Sequence, residues 1–347
     1  MSLGPPLPAP VPMLPSRDDD SLICGYRFRP GQPAEPIGTL AQAQALLQEP
    51  GLPDGFVWLH MNLSHAATLR WLRRHTDLGE AYFEALADGS RSARIERDGD
   101  ALFAVLNDVT FDSTVDTQEV ETLWLSVAPR RVISVRRRPL RSVDRLRTEV
   151  RRGQPVDNSV DLLDHLLRDQ ADELQRTLRR TAERLDEIED DVLAGRHRQH
   201  AAELARQRRL TVRLQRLLTP EPGSLARVLA RPPGWMQPTD VQQLAQANEE
   251  FALVLRDVAA LQDRIRLMQD ESTARTAEDT NRSLFLLTMV TVLALPINLV
   301  SGMFGMNVGG IPLAEDDAGF WLMLGLIASL TGLIGWVLVR RLGPGRD

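Results

Sequence analysis

SLFLLTMVTVLALPINLVSGMF, residues Ser283–Phe304, carries no charged side chain and runs directly into Gly305-Met306-Asn307. A second uncharged stretch, Phe320–Val339, follows a short loop. Each is about twenty residues, which at ~1.5 Å rise per helical residue matches a hydrocarbon core of about 30 Å. Two membrane-spanning helices at the end of an otherwise polar chain are therefore expected. Two are too few to enclose a pathway, so any passage through the bilayer needs several copies of the chain around an axis.

On a helical wheel of about 100° per residue, Asn281, Leu284, Thr288, Thr291, Leu295, Asn298 and Gly302 fall in one stripe. The other faces of the first span are Leu, Met, Val and Ile. An amide in lipid must find a hydrogen-bond partner or water. The stripe therefore either lines a water-accessible pore or serves as glue between helices. In the pore reading Asn298 and Asn281 are polar rings, and Leu284 and Leu295 are hydrophobic constrictions. Neither span holds Asp, Glu, His or Arg, so a divalent ion cannot be stripped of water there cheaply and would travel largely hydrated. Zinc favours nitrogen and sulfur ligands, which the stripe lacks. Gly305-Met306-Asn307 has two readings as well: a helix C-cap, or an oxygen-lined mouth with one set per copy.

Charge asymmetry orients the spans. Arg275 and Arg282 precede the first, and Arg340, Arg341 and Arg346 follow the second. The loop Gly305–Gly319 has no basic residue and contains Glu315, Asp316 and Asp317, which would draw cations to its side by negative potential. Arginine excess marks the cytoplasmic face, so both termini are expected inside and the loop outside. All 41 basic residues are arginine, and the net charge of −6 gives no reason to expect nucleic acid as a partner. The single cysteine, Cys24, excludes an intrachain disulfide and a thiolate metal cluster. Residues 1–20, rich in proline, read as a disordered arm and not as a signal peptide.

The body divides in two. Residues 21–150 read as an α/β domain: a strand over Phe56–Asn62, a helix through Leu69 and Leu72 capped by Ser64, a hairpin turning at Asp98-Gly99, and a second strand pair over Thr122–Val127 and Arg131–Val135. Nothing there resembles a catalytic site or a phosphate-binding loop. Residues 151–238 read as a helical hairpin with a stripe of Val160, Leu163, Leu167, Leu174, Leu178, Leu185, Ile188 and Val192, a stop at Gly195, and a proline- and glycine-rich break from Pro220 to Gly234. From about Thr239 no proline or glycine interrupts the chain before Pro296. Residues 239–304 would form one stalk helix on the order of 100 Å long. Its heptad seam, Phe251, Val254, Val258, Leu261, Ile265 and Met268, is expected to face other copies. His197 and His200 could pair on zinc, but neighbouring arginines oppose it; His60, His65 and His75 read as structural.

These features together resemble the CorA family of divalent-cation transporters, whose signature is Gly-Met-Asn between two C-terminal spans. The run Asn307-Val308-Gly309-Gly310-Ile311-Pro312 resembles the family's zinc-transporting ZntB branch, and the Met-Pro-Glu-Leu segment usual in magnesium-transporting relatives is absent. Met306 departs from the zinc branch, which often alters that residue, and keeps magnesium, cobalt and nickel open. Trp58-Leu59-His60 and the long stalk are similar too. The resemblance implies an α+β cytoplasmic domain followed by long helices and two C-terminal transmembrane helices, assembled as a funnel-shaped homopentamer in the inner membrane. It also implies a selectivity ring of Gly305, Met306 and Asn307, with Asn307 holding the ion through its water shell. The loop is 305–319, the second span 320–341 and the tail 342–347. The acidic residues Asp186, Glu187, Glu189, Asp190 and Asp191 would be candidates for metal sensing. The expected cargo is zinc, with magnesium second; no cofactor and no enzyme activity are expected. The rival reading is a membrane-anchored coiled-coil sensor that transports nothing.

Overall fold

Alternation along the strands builds the first part of the molecule. The computed structural model describes residues 21–49, 55–110, 120–193, 200–306 and 318–342. The chain forms two compact units, one of residues up to Asp191 together with Ala202–Leu267, the other of Val192–Ala201 and Met268–Asp347. The first is organised around a seven-stranded sheet: β1 (Leu22–Phe28), β2 (Glu35–Ile37), β3 (Phe56–Asn62), β4 (Arg94–Asp98), β5 (Ala101–Val109), β6 (Val120–Ala128) and β7 (Arg131–Arg136). Their order is β2-β1-β3-β7-β6-β5-β4, and only β3 and β7 run parallel.

Successive residues point to opposite faces, and each face has its own core. Val57, Leu59, Met61, Phe103, Val105, Ile133 and Val135 meet α1 (Leu40–Gln48), α2 (Ala66–His75) and α3 (Glu80–Asp88). Phe56, Trp58, Ala104, Leu106, Leu123 and Leu125 meet α4 (Arg141–Arg151), α5 (Ser159–Leu193), α7 (Pro220–Leu229) and the start of α8 (Pro238–Phe304). Strand β3 is therefore apolar on both faces, which is why its sequence does not alternate. The β4–β5 turn needs Gly99, whose φ is +61°. Gly55 allows β3 to start against β1: a Cβ there would lie 2.2 Å from the Phe28 carbonyl oxygen.

Three local expectations are corrected. The cap of α2 is His65, not Ser64; the Ser64 amide is instead held by Asn62 Oδ1 at 3.0 Å. The expected break after Leu218 contains a helix, α7, because Pro220 occupies its first turn, where a missing N–H costs nothing. Helices α1, α3 and α4 also complete the domain without having been marked in the sequence. Gly195 and His197 lie outside the described residues.

The largest correction concerns the stalk seam. Helices α5 and α8 run parallel: Asn158 Nδ2 donates to Asp240 Oδ1 and Arg168 Nη1 to Glu250 Oε2, at 3.1 and 3.0 Å, each pair 82 residues apart in sequence. α6 (Ala201–Leu218) runs back between them in the chain. Phe251, Val254, Val258, Leu261 and Ile265 are all buried within the single chain, as are Leu174, Leu178, Leu185 and Ile188 of α5. The seam is satisfied by the chain's own helices, not by other copies. Each such side chain contributes about 1.5–3 kcal/mol of burial. Ile265→Ala should therefore cost about 2–4 kcal/mol in urea unfolding followed by circular dichroism, whatever the state of assembly.

Candidate functional site

The amide stripe lies on α8, which continues unbroken through Pro296 to Phe304. Within the second unit, α9 (Gly319–Leu342) packs on one side of α8: Phe285, Met289, Val292, Leu293, Pro296 and Val300 are half-buried, and a Cβ on Gly335 would sit 3.6 Å from Leu293 Cδ2. On α9 the covered positions are Met323, Ile327, Thr331, Ile334 and Gly335, a stripe at helical spacing.

Asn281, Leu284, Thr288, Thr291, Leu295, Asn298 and Gly302 all fall on exposed surface. The rest of that open surface is apolar, with Leu286, Leu287, Val290, Leu299 and Met303 between 57 and 65 % exposed. The hydroxyls of Thr288 and Thr291 donate back to the carbonyls of Leu284 and Leu287, each at 2.8 Å, leaving oxygen lone pairs facing outward. The amides of Asn281 and Asn298 make no hydrogen bond among the described residues. Neither is glue to α9. A free amide on a lipid-length helix needs water or another copy of the chain.

At the end of α8, Gly305 does not form the left-handed cap that glycine usually supplies. Its N–H continues the helix by donating to the Ser301 carbonyl at 2.9 Å, and its φ is not positive. A Cβ at Gly305 would approach that same carbonyl to 3.0 Å. Met306 is 56 % exposed. Asn307, Glu315, Asp316 and Asp317 lie outside the described residues.

A further feature of α8 escaped the sequence reading. Before the first span, only Val212, Leu253 and Leu267 are large apolar residues on open surface among the described residues, and two of the three lie on α8. Leu253, Ala260 and Leu267 are exposed at a seven-residue step. In the sequence that step continues through Ala274, Asn281, Thr288, Leu295 and Gly302, the residues of the amide stripe. Charges on the α5 side of the helix are paired: Glu250 with Arg168, and Arg264 with Asp186 (2.6 Å) and Glu189. Beside the outer row, Arg256, Asp257, Asp263 and Arg266 have no ion pair among the described residues. The signal was present as a second heptad, hidden by the stronger buried one.

The remaining candidates do not assemble a metal centre. Among the described residues no three His, Cys, Asp or Glu side chains converge as ligands. His60 is fully buried, its Nδ1 lies 2.8 Å from Ser134 Oγ, and burial followed by Arg136 and Arg147 holds it well below the usual imidazole range. His65 and His75 belong to α2's ends, His75 stacking at a tilt on Trp71. On the acidic helix α5, Asp186 and Glu189 are taken by Arg264, and Glu187 by Arg184. Burial pushes the Cys24 thiol up to about 11, against the pull of Arg147.

Residues 53–341 match the family described as CorA-like Mg2+ transporter protein. The chain is 26 % identical over 283 residues to the zinc transport protein ZntB of Pectobacterium carotovorum, covering 82 % of this chain and 86 % of that protein. It is 27 % identical over 329 residues to the divalent cation transporter CmaX of Pseudomonas aeruginosa, covering 94 % and 97 %. The solved structure of full-length CmaX superposes with a TM-score of 0.77 at 26 % identity, over 94 % of this chain and 99 % of that one.

The thiol supplies a check on the first unit. At neutral pH, maleimide should label Cys24 about two orders of magnitude more slowly than a free cysteine, since the thiolate is the reactive form. Labelling at the rate of the free amino acid, followed by mass spectrometry, would contradict this burial.

Proposed function

This chain belongs to the CorA family of divalent-cation transporters, and on that premise we propose that it carries zinc across the inner membrane as a homopentamer. The observation that carries the reading is the exposed, unpartnered amide stripe on the α8 face turned away from α9. A ring of copies gives those amides water, and gives the water walls. Lipid offers neither.

In this assembly the hydrated ion gathers at the loop carrying Glu315, Asp316 and Asp317. It meets the oxygens of Gly305, Met306 and Asn307 and passes Asn298, the Leu295 and Leu284 constrictions and Asn281. Both termini face the cytoplasm, as the arginine distribution favours. Leu253, Ala260 and Leu267 then face neighbouring copies, which accounts for both their exposure and the charges beside them that have no ion pair among the described residues. A strict seven-residue step holds one face only if the helices supercoil left-handedly, so the stalks would wind around each other.

Zinc is favoured by relatives that bear the name of zinc transporters. Magnesium is the second reading, favoured by a stripe that offers only oxygen donors, which suits an ion reluctant to shed water. The protein in liposomes loaded with zinc- or magnesium-sensitive dye decides between them. Asn298→Leu and Asn307→Ala should each lower flux about tenfold or more, a change of ~1.4 kcal/mol or more at the barrier. Unchanged flux in both variants sinks the pathway. In a Cys24→Ser background, Leu267→Cys should link into dimers with a bismaleimide, whereas Val212→Cys on α6 should not. Equal linking at both positions contradicts the axial row.

A further inference from the structure

A carboxyl group with no place in ion passage lies at the heart of the first unit. Glu221 opens α7 and is 2 % exposed. Its Oε2 accepts from Gln170 Nε2 of α5 at 3.2 Å, and its Oε1 has no partner. The same Gln170 Nε2 donates to the Asn107 carbonyl of β5 at 2.7 Å, and Gln170 Oε1 is also without a partner. Asn107 Nδ2 in turn holds the carbonyls of Arg91 and of Leu217 at the end of α6, at 2.7 and 3.2 Å. Ser224, one turn into α7, donates to the Glu221 carbonyl and accepts from the Ile95 amide of β4, each at 2.8 Å.

Among the described residues no cation faces this carboxyl: from α5 it meets the uncharged Gln170, and from β5 the negative charge of Asp108, whose Oδ2 accepts from the Ser142 amide and hydroxyl at 2.8 and 2.7 Å. Two buried oxygens, Glu221 Oε1 and Gln170 Oε1, are acceptors that lack a donor. An ionised Glu221 would add a third burden, an unpaired charge in a dry interior. One proton on the carboxyl removes the charge and supplies the missing donor.

We propose that Glu221 is a proton-binding site of the first unit, whose uncharged acid form latches α7 to α5 and β5 and whose ionised form releases that latch. The latch is placed to report along the chain. Gln170 sits two residues beyond Arg168, whose Nη1 grips both carboxylate oxygens of Glu250 on α8 at 3.1 and 3.0 Å. Helix α5 thus carries the latch contact on one side and an anchor of α8 on the other.

Burial pushes Glu221 up to about 8, opposed by the Gln170 hydrogen bond and reinforced by Asp108. The folded value lies above the ordinary 4.5, so the closed form holds more protons than the open one between these limits. The stabilisation is complete below the ordinary value and is lost as pH rises through the folded one. Asp169 on α5 is pushed up to about 7 by burial, then by Glu149 and against Arg145, so its contribution ends lower and the two can be separated.

Hydrogen exchange of the full-length protein, corrected for intrinsic chemistry, tests this. Peptides covering α7 should open about fivefold more readily at pH 8 than at pH 7. Glu221→Gln, the isostere of the neutral acid, should abolish that dependence, and Asp169→Asn should keep it. A pH-independent wild type, a Glu221→Gln variant that responds as the wild type does, or an Asp169→Asn variant that alone loses the response each overturns the proposal. Should Glu221→Gln not fold, difference infrared spectra of the wild type decide. A protonated-carboxyl band lost between pH 7 and 9 supports the site, and its absence overturns it. None of these outcomes depends on metal flux.

Discussion

Polar groups in lipid must be satisfied, and that requirement organises the second unit. Asn298 stands within the lipid-length stretch of α8 and Asn281 two residues before it, neither with a partner among the described residues. Helix α9 could have covered them. It takes the opposite side instead, where Leu293 and Pro296 meet a stripe that includes Gly335. A single copy therefore leaves two amides and two threonine oxygens facing outward among leucines, a surface at odds with hydrocarbon. The conflict is relieved where such surfaces meet water or another copy of the chain, which is what the proposed assembly supplies.

Helix α8 meets two demands with one repeat. Its inner seam, Phe251 to Ile265, buries against the chain's own helices and fixes α8 to the α/β unit. Its outer row, Leu253 and Leu267, stays open. The charges follow the same division: those toward α5 are paired within the chain, and Arg256, Asp257, Asp263 and Arg266 are not. A helix that had only to pack within one chain would have no reason for the second row. One that had only to meet its copies would have no reason for the first.

The sequence carried this unevenly. The spans were plain because twenty uncharged residues have few other uses, and β3 and the β4–β5 hairpin were plain from Phe56–Asn62 and Asp98-Gly99. Helix α4 was obscured because Arg141–Arg151 carries arginines between its core positions Val143, Leu146 and Val150, so its apolar face is narrow. Helix α7 was hidden by Pro220 and Pro222, which read as breakers until one sees that a first turn tolerates them. The seam was found, but its partner was misassigned. Periodicity states that a face is buried, never by which chain. The stripe was legible as a pattern on a wheel, and the position of α9 adds that its amides do not bind that helix.

Glu221 shows the same limit in another form. A glutamate in the first turn of a helix is what the macrodipole favours, so nothing in Pro220-Glu221-Pro222 marks it as unusual. Its character comes from what surrounds it. Asn107 and Asp108 on β5, Gln170 on α5 and Glu221 on α7 are scattered over more than a hundred residues of sequence. Only the layering of helices on the sheet brings them to one spot, with acceptors outnumbering donors. An apolar residue at 221 would give a more stable interior without any burden of desolvation. What an acid adds there is a response: a group whose charge, and therefore whose grip, depends on the proton concentration around the domain.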